Sequence, residues 1–305
     1  MLAPDVLKQR IAEGIMAFPA TPFHPDGTLD QASLESHVAF LAQHRPTALA
    51  GAGGAGEIFS LTLPEHEQVM RTTVRYSAGI PVIGGAGYGT LMACEMARAV
   101  ERSGADAVLL LPPYLVRCEQ EGLYHHIRAV CSAVSIAVIP YSRDNAVIAP
   151  DTVLRLADNC PNLIAIKDGT GDVTSVSGLT DRAGDRLIVI NGAPTAEVFA
   201  PRYQELGVHS YSSAVFTFLP LVARHFFAAL RSGDQALTSA MLGEFFEPLV
   251  ELRNRKRGYA VSIVKAGLRV AGMPAGPVRS PLVDLEADEE SSLAGLVARV
   301  RKWNR

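Results

Sequence analysis

The feature that most constrains the fold is an alternation of short apolar runs with longer amphipathic stretches along the 305-residue chain. The runs end at or next to Gly, Pro or polar residues, and successive runs start about 20 to 35 residues apart, the length of one βα unit. We interpret the runs as eight strands. They are GIMAFP from Gly14, TALAGA from Thr47, IPVIGGA from Ile80, DAVLLLP from Asp106, SIAVIPY from Ser135, NLIAIKD from Asn162, RLIVING from Arg186 and GVHSYSS from Gly207.

The stretches between these runs have the residue spacing of helices. Leu34, Val38 and Leu41 recur on one helical face, and Thr62 stands where a helix N-cap is expected before LPEHE. Strands that alternate with helices predict a parallel sheet, either a closed (β/α)8 TIM barrel or an open doubly wound sheet. Eight parallel strands in so short a chain favour the closed barrel.

The strand pattern stops at about residue 230. We therefore predict a catalytic barrel over residues 1–230 and a C-terminal three-helix extension, packed on the barrel, over residues 231–305. The three helical segments are SGDQALTSAMLGEFFEPLVELRNR from Ser232, GYAVSIVKAGLRVAG from Gly258 and ADEESSLAGLVARVRKWN from Ala287.

Composition excludes several classes of protein. Hydrophobic residues make up 48% and charged residues 19% of the chain, as in ordinary globular proteins. The net charge of -3 does not indicate a basic surface for nucleic acid. The sequence has no uninterrupted run of about 18 apolar residues, the length that would predict a membrane-spanning helix. The four cysteines form no CxxC pair and fit a reducing compartment. We expect a cytoplasmic protein that acts on a small molecule, without nucleic acid or membrane partners.

Lys167 and Tyr141 are the candidate catalytic residues because each ends a predicted strand, where barrels place their active sites. Leu163 and Ala165 share a strand face with Lys167, and a dry setting above them would lower the pKa of its amine. A neutral amine can form a Schiff base with a ketone, and Tyr141 on the neighbouring strand can shuttle protons. The alternatives are a lysine that snorkels at a strand end and a core tyrosine at the rim.

A glycine-rich segment, GAGGAGE from Gly51, follows the second predicted strand. It formally matches the dinucleotide fingerprint, but no acidic residue follows at a strand end about twenty residues on. We interpret it instead as an anion cradle, in which the backbone N–H groups of Gly54 and Ala55 bind a carboxylate.

Three further residues could line the mouth of the predicted barrel. Gly192 and Ser212 lie at the ends of the seventh and eighth predicted strands, and Arg143 could bind a second carboxylate or form a surface salt bridge. The histidines lack metal-ligand spacing, and the strand ends lack the carboxylates of a magnesium site. We therefore predict neither a metal nor an organic cofactor.

Together these residues resemble the dihydrodipicolinate synthase and N-acetylneuraminate lyase superfamily of Schiff-base barrels. The resemblance runs from about Gly14 through most of the chain. It is carried by FPATPF from Phe18, GGAGEIFSLT from Gly53, EGLY from Glu121, IPYSRDNA from Ile139 and IKDGTGD from Ile166.

Within the superfamily, the chain is most similar to the sugar-acid dehydratases. The resemblance implies a keto-sugar acid that loses water and CO2, with Lys167 as the Schiff-base residue, no cofactor, and a homotetramer built as a dimer of dimers. The segments concerned are LPPYL from Leu111, KDGTGD from Lys167, NGAPTAEVFA from Asn191 and YSSAVF from Tyr211.

Two alternative functions remain open at this stage. A pyruvate-dependent aldolase or synthase would share Lys167 and Tyr141, but Leu115 and Ala146 replace the tyrosine and specificity residue that such members usually carry. A keto-acid-binding protein without catalysis is the second alternative, because Gly54 and Ala55 replace the usual Thr or Ser of the glycine loop.

Overall fold

The computed structural model describes residues 1–303 and contains a closed barrel of eight parallel strands in sequential order. The barrel confirms the predicted (β/α)8 fold and excludes the open sheet. Each strand overlaps its predicted apolar run, with β1 beginning one residue before its run and β5 ending one residue after its run. The strands are β1 Glu13–Ala17, β2 Ala48–Gly51, β3 Val82–Ala86, β4 Ala107–Leu110, β5 Ala137–Ser142, β6 Ala165–Asp168, β7 Ile188–Asn191 and β8 His209–Ser213.

Helices surround the barrel and cover both of its ends. The predicted N-cap at Thr62 is confirmed, since Thr62 and Glu65 form a reciprocal capping box. The barrel portion contains α1 Pro4–Ile11, α2 Gln31–Gln43, α3 Leu63–Tyr76, α4 Thr90–Arg102, α5 Gln120–Ala133, α6 Pro150–Asn159, α7 Val173–Ala183, α8 Ala196–Glu205 and α9 Pro220–Ser232, and the chain continues through α10 Gln235–Met241, α11 Glu247–Arg253, α12 Tyr259–Val270 and α13 Ala287–Arg299.

Helix α1 was not predicted from the sequence. Its Leu7 and Ile11 are fully buried and belong to the apolar cluster inside the barrel, together with Met16 and Ala48. The helix therefore closes the end of the barrel opposite the carboxyl ends of the strands.

The three helical segments predicted after the barrel are present. A π-helical turn, Leu242–Phe246, joins α10 to α11, so that the first segment forms one continuous helix. Helices α12 and α13 pack against each other, and residues of α12 reach the mouth of the barrel. No helix within residues 1–303 has the length and apolar character needed to cross a membrane.

Side-chain alternation along β6 positions the candidate lysine. Ala165 belongs to the cluster inside the barrel, whereas Ile166 belongs to the layer between strands and helices. Because successive side chains of a strand point to opposite faces, Lys167 points into the barrel at its carboxyl end.

Candidate active site

A cavity of about 350 Å³ opens at the carboxyl ends of the strands. Phe18 and Leu109 line its floor within the barrel, and Val261 and Val264 of α12 line it from the C-terminal helices. The walls are mostly apolar, with a few convergent polar groups, which is the usual character of a small-molecule site. Lys167 is one of those polar groups.

Lys167 lies between two aromatic rings. Its Nζ is 4.1 Å from the ring centroid of Tyr141 and 4.4 Å from that of Phe18. Only 5% of the residue is exposed, and Nζ has no carboxylate partner within residues 1–303. Burial, with a smaller effect of the nearby Arg143 cation, lowers the pKa of Lys167 to about 7. A large fraction of the amine is therefore neutral, and hence nucleophilic, near neutral pH.

Tyr141 lies beside Lys167, because the two residues are register partners on β5 and β6. Its hydroxyl donates a hydrogen bond of 2.5 Å to the carbonyl oxygen of Gly192 and accepts one of 3.2 Å from Nη1 of Arg143. Burial raises the pKa of Tyr141 above its ordinary value, and the Arg143 cation opposes that rise. The hydroxyl is thus protonated at neutral pH and oriented at the edge of the lysine.

Gly192 must be glycine for Lys167 and Tyr141 to adopt these positions. A Cβ atom at this residue would lie 2.5 Å from Cγ of Lys167 and 2.9 Å from Cε2 of Tyr141. Such distances are shorter than any van der Waals contact, so a side chain here would displace both residues. The structure brings the three predicted residues into direct contact.

The residues that follow Lys167 in the segment KDGTGD form a loop that is hydrogen-bonded to the Asp168 carboxylate. The Asp168 side chain points away from the cavity and accepts hydrogen bonds from Tyr203 Oη, Thr170 Oγ1 and the Gly171 N–H. The carboxylate next to the lysine therefore organises the β6–α7 loop and does not act as an acid or base in the cavity.

Gly54 and Ala55 line the cavity from the β2–α3 loop. Among residues 1–303, neither backbone N–H has a hydrogen-bond acceptor, whereas the next residues of the loop close it through Glu57 N to Gly54 O and Ile58 N to Gly53 O. Two unpaired N–H groups facing a cavity can bind an anion. The loop lies at the cavity, and its role as a carboxylate cradle stays a prediction.

Ser212 and Arg143 also line the cavity. Ser212 lies on β8 and is half-buried. Arg143 follows β5, donates from Nε to Asp144 at 2.6 Å, and has its guanidinium 5.2 Å from the ring centroid of Tyr141. Arg143 forms the salt bridge that was one of the two sequence interpretations and lines the cavity, and its binding of a substrate carboxylate stays a prediction.

Two polar residues of the cavity were missed by the sequence analysis. Thr195 lies in the β7–α8 loop, and Arg253 is the last residue of α11. Arg253 donates from Nη1 to Thr195 Oγ1 at 2.6 Å. The clustered charges of RNRKR, from Arg253, were a signal that could have drawn attention to this segment.

A buried ion pair ties the glycine loop to the C-terminal helices. Lys265 Nζ on α12 lies 2.6 Å from Glu57 Oε1, and both side chains are fully buried. Lys265 also donates to the Pro277 carbonyl at 2.7 Å, and Glu57 accepts from the Arg279 N–H at 3.1 Å. Glu57 has φ 53°, a left-handed conformation that is uncommon outside glycine. The pair thus holds the end of the loop that carries Gly54 in a fixed, unusual conformation.

This ion pair gives a stability prediction. Lys265→Met is expected to lower the free energy of unfolding by about 3–5 kcal/mol, because it leaves the Glu57 carboxylate buried without a cation. The double variant Lys265→Met/Glu57→Gln should recover part of that loss. Urea denaturation measures both. Lys302→Met, which breaks an exposed pair with Glu244, is the control and should cost about 1 kcal/mol or less. Equal losses for both lysine variants would contradict the structural role of the pair.

The fold and the site define a (β/α)8 barrel with a buried, low-pKa lysine and a tyrosine at its mouth. The chain belongs to the dihydrodipicolinate synthetase family, whose sequence profile matches residues 11–300.

Two curated relatives match nearly the whole chain. A protein of Rhizobium rhizogenes named probable 5-dehydro-4-deoxyglucarate dehydratase is 50% identical over 294 residues, which cover 96% of this chain and 97% of the relative. A protein of Saccharopolyspora erythraea with the same name is 52% identical over 295 residues, covering 96% of each chain.

Solved structures show the same fold. Dihydrodipicolinate synthase of Oceanobacillus iheyensis superposes with a TM-score of 0.89 at 25% identity, covering 98% of this chain and 99% of that structure. The Acinetobacter baumannii dihydrodipicolinate synthase, solved as a chloride-inhibited complex with pyruvate, superposes with a TM-score of 0.82 at 27% identity, covering 94% and 98%.

Proposed function

We propose that this protein is a class I Schiff-base lyase that converts 5-dehydro-4-deoxy-D-glucarate into 2,5-dioxopentanoate, water and CO2. The chemistry rests on one observation, the buried amine of Lys167 with a pKa of about 7 beside the Tyr141 hydroxyl. The choice of substrate rests on relatives of about 50% identity that carry the dehydratase name over nearly their full length.

The first stage is formation of a Schiff base at Lys167. The neutral amine attacks the keto carbon next to the substrate carboxylate, and the carbinolamine loses water to give an iminium. The N–H groups of Gly54 and Ala55 bind that carboxylate, and Ser212 supplies a hydroxyl at the rim. Tyr141, with Arg143 donating to its oxygen, transfers protons to and from the keto oxygen.

The second stage removes the β-hydroxyl and the distal carboxylate. The iminium acidifies the adjacent methylene, which loses a proton to give an enamine, and the enamine expels the β-hydroxyl as water. The conjugated iminium that results accepts the electron pair released when the distal carboxylate leaves as CO2. Protonation and hydrolysis then free 2,5-dioxopentanoate and regenerate the lysine. The iminium formed on Lys167 is the electron sink when the methylene loses its proton and when CO2 departs, and in the enamine the same nitrogen donates electrons to expel the hydroxyl.

Product analysis tests this proposal. The protein, incubated with 5-dehydro-4-deoxyglucarate, is expected to release CO2 and 2,5-dioxopentanoate in equal amounts, as measured by ¹³C NMR with substrate labelled in the carboxylates. Release of pyruvate would identify a carbon–carbon lyase, and unchanged substrate would contradict the proposal.

The pH dependence of kcat/KM follows from the lowered pKa of Lys167. Because only the neutral amine attacks, kcat/KM is expected to rise with pH through about 7 and to level off above it. The Arg143 cation helps to lower the pKa of Lys167, so Arg143→Met should raise that pKa and move the rising limb to higher pH. Arg255→Met, which alters an exposed arginine, is the control. A limb that stays at the wild-type position in Arg143→Met would contradict this electrostatic coupling.

We also propose a homotetramer located in the cytoplasm. The assembly is inferred from the family resemblance, and the location is supported by four free cysteines, as expected in a reducing compartment. Light scattering is expected to give four times the 32.5 kDa chain mass, and a value for one or two chains would contradict the tetramer.

Fractionation of cells should recover the protein with cytoplasmic markers, and recovery with the periplasmic or membrane fraction would contradict the location.

A further inference from the structure

Arg253 reaches the cavity from the C-terminal helices and is, outside the Lys167–Tyr141 pair, a cation there without a carboxylate partner among residues 1–303. It is half-buried, and no carboxylate within residues 1–303 forms a salt bridge with it. Burial lowers the pKa of Arg253 from its ordinary value. A desolvated cation without a counter-ion is unfavourable, and an anionic ligand would relieve that cost.

The Arg253 guanidinium is already oriented by neutral partners. Nη1 donates to Thr195 Oγ1 at 2.6 Å, while Nε and Nη2 donate to Asn254 Oδ1 at 3.2 and 3.1 Å. A guanidinium has five N–H groups, so these bonds leave two of them without an acceptor in the described part of the chain. A planar fork held in this way is pre-organised to bind a carboxylate.

Thr195 adopts a conformation that has an energetic cost. Its φ of 54° is unusual for a β-branched residue, and its side chain is buried. The Asn191 side chain holds the loop by accepting from the Ala193 N–H and donating to the Ala196 carbonyl. Strain of this kind persists where the surrounding structure enforces it, and it often marks a binding site. In this strained conformation the Thr195 hydroxyl contacts Arg253 at the cavity wall.

The glycine loop and the Thr195–Arg253 pair lie on different sides of the cavity that holds Lys167. Strands β2 and β6 are four positions apart in the eight-stranded barrel and therefore face each other across it. Gly54 and Ala55 follow β2, Lys167 ends β6, and Thr195 follows the neighbouring β7. A ligand with its keto-acid carboxylate at the glycine loop and its keto carbon at Lys167 can therefore direct its other end toward Arg253.

We propose that Arg253, oriented by Thr195, binds the carboxylate remote from the keto group and makes the site selective for 2-keto diacids. This inference rests on the proposed function and names the feature by which the same site selects its substrate. Arg143 remains at the reacting end, since it pairs with Asp144 and donates to the Tyr141 hydroxyl.

Decarboxylation limits what Arg253 can contribute. The remote carboxylate loses its charge as CO2 departs, so a cation beside it stabilises the bound substrate more than the transition state for that step. Arg253 therefore acts on affinity. Its removal should raise KM while kcat stays the same or increases.

Binding of two matched ligands tests the inference. 2-Oxoadipate and 2-oxohexanoate have six carbons each and differ in the remote carboxylate. Calorimetry is expected to show that the wild-type protein binds the diacid about 10- to 100-fold more tightly, the effect of charge-assisted hydrogen bonds. Arg253→Met should lose this preference and keep the affinity for 2-oxohexanoate, whereas Arg255→Met should behave as wild type. Arg253→Gln replaces Arg253→Met in the test if the methionine variant does not fold.

The outcomes separate this inference from the proposed function. A preference for the diacid that survives loss of Arg253, an equal loss of affinity for both ligands, or no wild-type preference would overturn the inference, even if the dehydratase reaction is observed. A preference that depends on Arg253 would support it, even if 5-dehydro-4-deoxyglucarate is not turned over, because neither probe ligand undergoes dehydration.

Discussion

Lys167→Ala is expected to abolish turnover of 5-dehydro-4-deoxyglucarate, with kcat falling by about 10⁴-fold or more, as when other covalent enzymes lose their nucleophile. Without the amine there is no iminium to acidify the methylene and no electron sink for loss of CO2. The remaining residues can still hold the substrate. The measurement is CO2 release at saturating substrate, together with thermal unfolding to establish that the variant is folded.

A lysine outside the cavity provides the control for this experiment. Lys302 pairs with Glu244 at an exposed position, so Lys302→Ala should retain the wild-type kcat. Activity of Lys167→Ala near the wild-type value would rule out the Schiff-base mechanism altogether.

Tyr141→Phe is expected to lower kcat by about 10²- to 10⁴-fold, the usual contribution of a positioned proton donor or acceptor. Phenylalanine keeps the ring that contacts Lys167 and removes the hydroxyl that bonds Gly192 and Arg143. Rapid-quench measurement of a single turnover should show slow Schiff-base formation with substrate affinity changed much less than the rate.

The control for Tyr141→Phe is Tyr76→Phe. The Tyr76 hydroxyl, on α3, donates a hydrogen bond to Glu35 on α2, outside the cavity. That variant should have wild-type kinetics. If Tyr141→Phe forms the Schiff base at the wild-type rate, proton transfer has another source, and Tyr141 serves only to pack against the lysine.

The barrel could be predicted from sequence because each strand and helix has a local signal. Strand runs end in turn residues, helices carry apolar residues at regular spacing, and eight repeats in so short a chain favour closure. Lys167 and Tyr141 could be found for the same reason, since both end recognisable strands whose carboxyl ends form the mouth of a barrel.

The C-terminal contribution to the site could not be predicted in this way. Arg253 meets Thr195, and Lys265 meets Glu57, only because the helices after the barrel fold back over its mouth. These pairs are far apart in the sequence, and no local pattern fixes which face of α11 or α12 contacts the barrel. Helix α1 was not predicted because its eight residues are too few to show a clear amphipathic period.

The glycine loop was identified from the sequence, and the structure adds which of its backbone groups are unpaired. From the sequence, Gly54 and Ala55 replace a hydroxyl residue, and their backbone N–H groups are predicted to bind the carboxylate in its place. In the structure a Cβ atom at Gly54 would have no neighbour within 4 Å, and both backbone N–H groups are unpaired within residues 1–303. Backbone donors and free space are therefore available at this loop for the predicted carboxylate.

Borohydride trapping tests the Schiff-base mechanism most directly. The protein is reduced in the presence of 5-dehydro-4-deoxyglucarate, or of pyruvate as a simpler keto acid, and then examined by intact mass and peptide mapping. We predict a reduced adduct on Lys167 whose mass corresponds to the substrate less water and CO2. A pyruvate-sized adduct from the sugar acid would indicate an aldolase, and the absence of any adduct on Lys167 with either compound would contradict the mechanism.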